Sequence, residues 1–163
     1  MDESYYDVAQ VCENGHVVND SVRDIPERNA PFCSRCGSKT ITACPTCNTL
    51  IRGHYNVPGV IGFSPKYRAP AHCYHCGAPF PWTTAALQAA GELADLLEGL
   101  KPDRREELKK TLADLVRETP RSRVAETKFK AIMRTAGKEG YEAMKSALTE
   151  ILSETVRKTL FGG

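Results

Sequence analysis

Cys12-Glu13-Asn14-Gly15-His16, Cys33-Ser34-Arg35-Cys36, Cys44-Pro45-Thr46-Cys47 and Cys73-Tyr74-His75-Cys76 are the four stretches that decide how this chain folds. Each holds a pair of soft or borderline metal ligands. Together they suit two tetrahedral Zn²⁺ ions, each gripped by two pairs, because a two-residue spacer lets two sulfurs reach one ion from a single turn. No cysteine is left over among the seven, and the sum closes only if His16 is the eighth ligand. The expected sites are Cys12, His16, Cys33 and Cys36, then Cys44, Cys47, Cys73 and Cys76. With four protein ligands on each ion no position stays open for water or substrate, which is the structural kind of zinc site.

Outward from this stretch the composition splits in two. All seven Cys, all four His and every Pro except Pro102 and Pro120 precede Trp82; after Thr83 the text turns to Ala, Leu, Glu, Lys and Arg. The expected organisation is a double zinc-ribbon domain over 1–82 and an α-helical domain over 83–163. The fold class is a small metal-stapled α+β protein: two tandem zinc ribbons, then a helical bundle of about four helices. A loop-rich half of this length buries too little apolar surface to be secure alone. Structural zinc, at roughly 10–16 kcal/mol of apparent binding energy per site, makes up the difference.

Disulfides are the competing use of seven cysteines. The opening Met1-Asp2-Glu3-Ser4-Tyr5-Tyr6 has neither a basic nor an apolar signal-peptide region, and no apolar run is long enough to span a membrane. An odd count at Cys-x-x-Cys spacing then favours metal, and a cytoplasmic location is expected. Net charge is +2, with the first half formally neutral and the second carrying the excess. Two zincs on seven thiolates would take the first half to about −3. Charge alone therefore argues against a nucleic-acid grip there.

In chain order, residues 5–18 read as two short strands around Asn14-Gly15, a tight hairpin turn that brings Cys12 and His16 to one metal. Gly37 and Gly77, each following a Cys-x-x-Cys, let the chain turn so that backbone N–H groups point at sulfur. Lys39–Ala43 and Leu50–Arg52 favour strands. Residues 57–70 form a Pro- and Gly-rich loop carrying Val57, Val60, Ile61, Phe63 and Tyr67, expected to fold over the second site as part of its core. Sequential pairing is preferred to a RING-like cross-brace because the halves repeat, each ending Cys-Gly. Trp82 is expected at the junction of the two halves.

Four amphipathic helices should follow. The first is capped by Thr83 or Thr84 and presents Ala86, Ala90, Leu93, Leu97 and Leu100. The second is capped by Asp103 and presents Leu108, Leu112 and Leu115 or Val116. The third spans about 121–136 with Ala125, Phe129, Ile132 and Met133. The fourth runs from about Glu139 to Leu160 with Met144, Leu148, Ile151, Leu152 and Val156.

Other constellations have plainer readings. His54, His72 and His75 are expected to be exposed or to lie beside the metal sites rather than act as bases. Arg117, Arg121, Arg123, Lys128, Lys130 and Arg134 outnumber Glu118 and Glu126 and form a candidate phosphate-contacting patch, though such a run is more often a solvated helix face. The terminal Gly162-Gly163 reads as a helix end rather than a conjugation signal. No Ser/His/Asp set, spare cysteine or glycine-rich phosphate loop is present, so no enzymatic activity is expected.

With these motifs laid out, Cys12-Glu13-Asn14-Gly15-His16, Phe32-Cys33-Ser34-Arg35-Cys36-Gly37, Cys44-Pro45-Thr46-Cys47, Cys73-Tyr74-His75-Cys76-Gly77 and Pro79-Phe80-Pro81-Trp82-Thr83 resemble an uncharacterised bacterial family of double zinc-ribbon proteins, a domain of unknown function. The resemblance extends weakly from Pro120 to Leu160. It implies metal binding and a bacterial origin and brings no activity with it. The expected role is a zinc-binding protein-interaction or scaffold module, with a protein partner or self-association. A nucleic-acid-binding protein using the 117–134 face is the alternative.

Overall fold

The computed structural model describes residues 3–61 and 65–162. The chain divides after Trp82 into two compact units. Among the described residues it is a small α+β protein with two small sheets and five α-helices.

In the first unit, β1 (Tyr5–Val8) pairs antiparallel with β5 (Arg52–Asn56), Tyr6 opposite Tyr55 and Val8 opposite Arg52. β2 (Gln10–Cys12) lies between β3 (Val17–Asn19) and β4 (Thr40–Ile41). The expectation of two strands over 5–18 is corrected to three. The chain leaves one sheet after Val8 and enters the other at Gln10, and the β1–β5 register shifts between Tyr6 and Val8. Asp7 sits at that irregularity, buried, and its carboxylate accepts the amides of Val8, Arg23 and Asp24. A side chain that satisfies three amides is a local reason for the ladder to break there.

The core of this unit is thin: Ala9, Val11, Ile51, Phe80 and Trp82 pack with Cys44 and Cys73. Phe80 stacks on Trp82 at 4.6 Å, and the indole Nε1–H donates to the Pro70 carbonyl at 2.8 Å. Of the 57–70 loop, Tyr67 and Ala69 pack on this core, whereas Val57, Val60 and Ile61 are exposed. Among the described residues, the loop contributes cover through its second half. Phe63 lies outside the described residues.

In the second unit the helices are α1 (Pro81–Leu96, its first two residues belonging to the first unit), α2 (Pro102–Val116), α3 (Ser122–Met133), α4 (Gly137–Leu148) and α5 (Glu154–Phe161). α3 is the helix that α2, α4 and α5 all touch. Its Ala125, Phe129, Ile132 and Met133 are buried, as are Leu108, Leu112, Leu115 and Val116 of α2.

Three expectations are corrected. The first helix starts at Pro81, not at a Thr83 or Thr84 cap, because proline at the first turn forfeits only an N–H that would be unpaired anyway. The second takes extended Lys101 as its flanking residue and Pro102 as its first, which puts Asp103 inside the first turn. The single helix expected from Glu139 to Leu160 is two. The chain turns after Leu148, and Ser153 restarts it, its hydroxyl accepting the Val156 amide at 3.3 Å. Met144, Leu148, Ile151, Leu152 and Val156 are all buried nonetheless. No described helix is long and apolar enough to cross a membrane.

Candidate metal centres

Each cysteine pair sits on a short turn closed by backbone hydrogen bonds, and three of the four turns are the same object. The carbonyl of Cys33 accepts from Gly37 N–H and its own N–H donates to Ser38 O, both at 2.8 Å. Cys44 does this with Asn48 and Thr49, and Cys73 with Gly77 and Ala78. Flanking bridges join Phe32 to Lys39, Ala43 to Leu50 and His72 to Pro79, again at one spacing.

The residue four past the first cysteine is left-handed in all three: Gly37 at φ 72°, Asn48 at 62°, Gly77 at 73°. Glycine adopts this without penalty, and asparagine is among the few other residues that tolerate it. Asn48 therefore does in the third turn what the Cys-Gly endings do in the second and fourth. The turn at Cys12 is one residue shorter, with Gly15 N–H on Cys12 O at 2.8 Å and Cys12 N–H on His16 O at 3.0 Å. Here Gly15 carries the positive φ, 87°.

The structure brings the eight candidate ligands into two groups, Cys12, His16, Cys33 and Cys36, and Cys44, Cys47, Cys73 and Cys76, with all ligand atoms of a group within 4.8 Å of one another. The first pair joins the second, and the third joins the fourth. His54, His72 and His75 belong to neither group.

In the first group Cys12 Sγ is 3.7 Å from Cys36 Sγ, and His16 Nδ1 is 3.5 Å from Cys12 Sγ and 3.6 Å from Cys33 Sγ. In the second, Cys44 to Cys76 is 3.8 Å and Cys47 to Cys73 is 3.7 Å. These separations are far too long for disulfides, whose sulfurs stand about 2 Å apart. They are separations within two four-ligand clusters that could each hold a metal ion. Because Nδ1 of His16 faces the sulfurs, a ligating imidazole there carries its proton on Nε2.

Polar groups favour thiolate at some of the sulfurs, whereas burial, outweighing the backbone bonds from His16 and Asn14, pushes the Cys12 thiol up. Asn14 Nδ2 donates to Cys36 Sγ at 3.4 Å and also to Ser38 Oγ at 2.8 Å, and the His16 amide donates to Cys12 Sγ at 3.3 Å. The Asn14 amide, then the Ser38 backbone and hydroxyl, bring the Cys36 thiol down to about 5. The Thr49 hydroxyl, then its amide, bring Cys47 to about 6. Cys76 goes the other way: the Ala78 amide pulls it down, yet burial and the neighbouring cysteine sulfurs carry it up to about 11. Four thiols so close share their protons unequally, and a cation is what lets all of them ionise together. Asn48 and Thr49 are supporting residues that spacing arguments missed, and Asn14, expected there only as a turn residue, also donates to a sulfur. Asn14 and Asn48 each hold a turn position at which asparagine is informative.

The basic run 117–134 is less uniform than its sequence. Arg121 faces Asp114 and Lys128 faces Glu107, each at 3.6 Å, so two of the six cations already meet carboxylates of α2. Arg123, Lys130 and Arg134 are exposed and lie about one helical turn or two apart on one face.

Compared with known protein families, residues 5–160 match the family described as an uncharacterized protein conserved in bacteria, DUF2321. The chain belongs to that family. Neither the curated proteins nor the solved structures gave a match.

Proposed function

We propose, starting from membership of a bacterial family that carries no assigned activity, that this protein is a structural zinc protein, two tandem ribbons whose metals stiffen a surface for contact with a protein partner or a second copy. One observation carries the zinc reading. A tetrahedron with thiolates about 2.3 Å and imidazole about 2.0–2.1 Å from its centre has S–S edges near 3.8 Å and N–S edges near 3.5 Å. The separations given above are 3.7–3.8 Å between sulfurs and 3.5–3.6 Å from nitrogen to sulfur. Soft S₃N and S₄ donor sets select zinc over the hard oxygen-seeking cations.

Both tetrads use all four positions for protein atoms, which supports a structural rather than catalytic role, and we read the protein as non-enzymatic. Native mass spectrometry of protein purified without added metal tests the reading: two zincs per chain are expected, and one after His16→Ala. Disulfides in place of metal, or turnover of a substrate at a rate tracking ionisation of His75, would overturn it. Nucleic-acid contact through 117–134 is a weaker second reading, since Arg121 and Lys128 are already paired. It requires binding that falls steeply with salt and is relieved by Arg123→Ala with Lys130→Ala.

A further inference from the structure

We infer that the first unit carries the partner site itself: a cleft between β5 and the Cys73 turn that takes one large apolar side chain of a peptide segment bearing a neighbouring carboxylate. This rests on the interaction reading above and names the chemistry of its partner. The cleft has a volume of about 240 Å³ and is walled by Tyr6, Ile51, Tyr67, Tyr74, Pro70 and Phe80. Pockets that enclose cofactors or whole small ligands run from about 300 Å³ upward, so this one is sized for a side chain rather than a cofactor. An apolar pit ringed by tyrosine and arginine is the usual form of the anchor point of a protein interface. Tyr74, Tyr6 and Leu50 at its rim are 56%, 47% and 45% exposed.

The charge at the cleft decides what flanks the anchor. Arg52, Arg68 and His72 line it and no Asp or Glu does. The adjoining groove, which shares Tyr6, Gly53 and Tyr67, adds Lys66 and His54, again without a carboxylate. Arg52 is the informative residue. Its guanidinium carbon lies over two rings, 3.8 Å from the Tyr74 centroid and 4.8 Å from that of Tyr6. Arg52 is exposed, and among the described residues no carboxylate pairs with it. A guanidinium resting on aromatic rings, with no carboxylate of its own, suits a bidentate carboxylate.

A nucleic acid fits the same surface less well. The almost wholly carbon walls would leave the polar edges of a buried base unpaired, which is costly. The unit is formally neutral and becomes negative once zinc-loaded, so no long-range field gathers a polyanion to it. A peptide with a single acidic residue beside its apolar anchor needs only Arg52.

The test is selection of a random dodecapeptide phage library on the immobilised, zinc-loaded full chain, followed by titration of the synthetic consensus peptide. Enrichment of sequences with a large apolar residue beside Asp or Glu is expected. Affinity for that peptide should fall by roughly tenfold or more in Tyr74→Ala and in Arg52→Gln. It should be unchanged in Arg123→Gln. Zinc content and Trp82 fluorescence establish that the variants fold, and Leu50→Asp at the rim serves as an independent block should either lose metal.

A basic consensus overturns the proposal, as does salt-sensitive binding of a labelled oligothymidine 20-mer lost in Arg52→Gln. A consensus peptide indifferent to all three cleft variants places the partner elsewhere, which ends the cleft assignment and leaves the interaction reading standing. No enriched peptide, together with a monomeric chain free of any co-purifying mass, ends both.

Discussion

Gly15 lies against Trp82, so closely that a Cβ on Gly15 would stand 3.0 Å from the tryptophan Cβ and 3.1 Å from its Cγ. The same glycine has φ 87° and sits between Cys12 and His16. Gly15→Ala therefore meets two obstacles, a left-handed backbone and a filled space. The expected cost is about 1–3 kcal/mol of the first unit's stability, with weaker zinc retention at Cys12, His16, Cys33 and Cys36 than at the other tetrad. Chelator competition followed by zinc counting checks this; equal retention at both tetrads would refute it.

Trp82 is the chain's only tryptophan and is buried in the thin core of the first unit. Its fluorescence should consequently report metal. Stripping zinc with a chelator is expected to shift the emission to the red and to abolish protection of Cys12, Cys33, Cys44 and Cys73 from alkylation. Most of the helical circular dichroism should persist, because Phe129, Leu112, Met144 and Val156 form a core without any ligand among them. Parallel loss of helix and tryptophan signals would show that the second unit does not stand without the first.

The low thiol pKa of Cys36, about 5, traces first to Asn14. Removing that donor raises the pKa, since the bond favours thiolate over thiol. In metal-free protein Asn14→Ala should slow iodoacetamide labelling of Cys36 at pH 6, where the wild-type thiol is mostly ionised. Labelling of Cys47, whose pKa of about 6 traces to Thr49, should not change. In zinc-loaded protein the variant should release metal at a higher pH than wild type. An unchanged Cys36 rate rules out the Asn14 assignment.

Burial pushes the Asp7 carboxyl up, but the amides of Arg23, Val8 and Asp24 outweigh it and hold it below the ordinary value of 3.8. A folded-state pKa below the unfolded one stabilises at every pH above the unfolded value, and the gain is lost as pH falls below about 4. Asp7→Asn replaces an acceptor oxygen by an NH₂ facing backbone donors and should cost about 1–3 kcal/mol at pH 7. The gap to wild type should stay constant from pH 7 to 5. A gap that narrows over that interval would mean the carboxyl titrates there, contrary to this account.

Reading the ligand pairs required only spacing and arithmetic, because metal chemistry demands particular atoms and each pair is local. The helical core positions were legible for a related reason: burial repeats with the helix, so Leu108, Leu112, Phe129 and Ile132 announce their face. What was hidden depended on single polar side chains. Asp7 breaks the register of a strand by collecting amides, which no alternation of apolar residues foretells. Ser153 restarts a helix inside a stretch whose apolar spacing, Leu148 to Val156, hardly falters. The cleft at Arg52 joins residues from β1, β5, the 57–70 loop and the Cys73 turn, and a surface drawn from four places in the chain leaves no mark in any one of them.

The two tetrads do not enclose one another. Every ligand of the first, Cys12 through Cys36, precedes every ligand of the second, Cys44 through Cys76. Four pairs can be joined two and two in three ways, and only this one closes each site on neighbouring chain. Against the interleaved arrangement it closes shorter loops, His16 to Cys33 and Cys47 to Cys73 in place of His16 to Cys44 and Cys36 to Cys73, at a smaller entropic cost before any packing favours it. With metal bound as proposed, the first site would be complete on a ribosome, and Cys12 and Cys33 withdrawn from mispairing, while Cys73 has yet to be made.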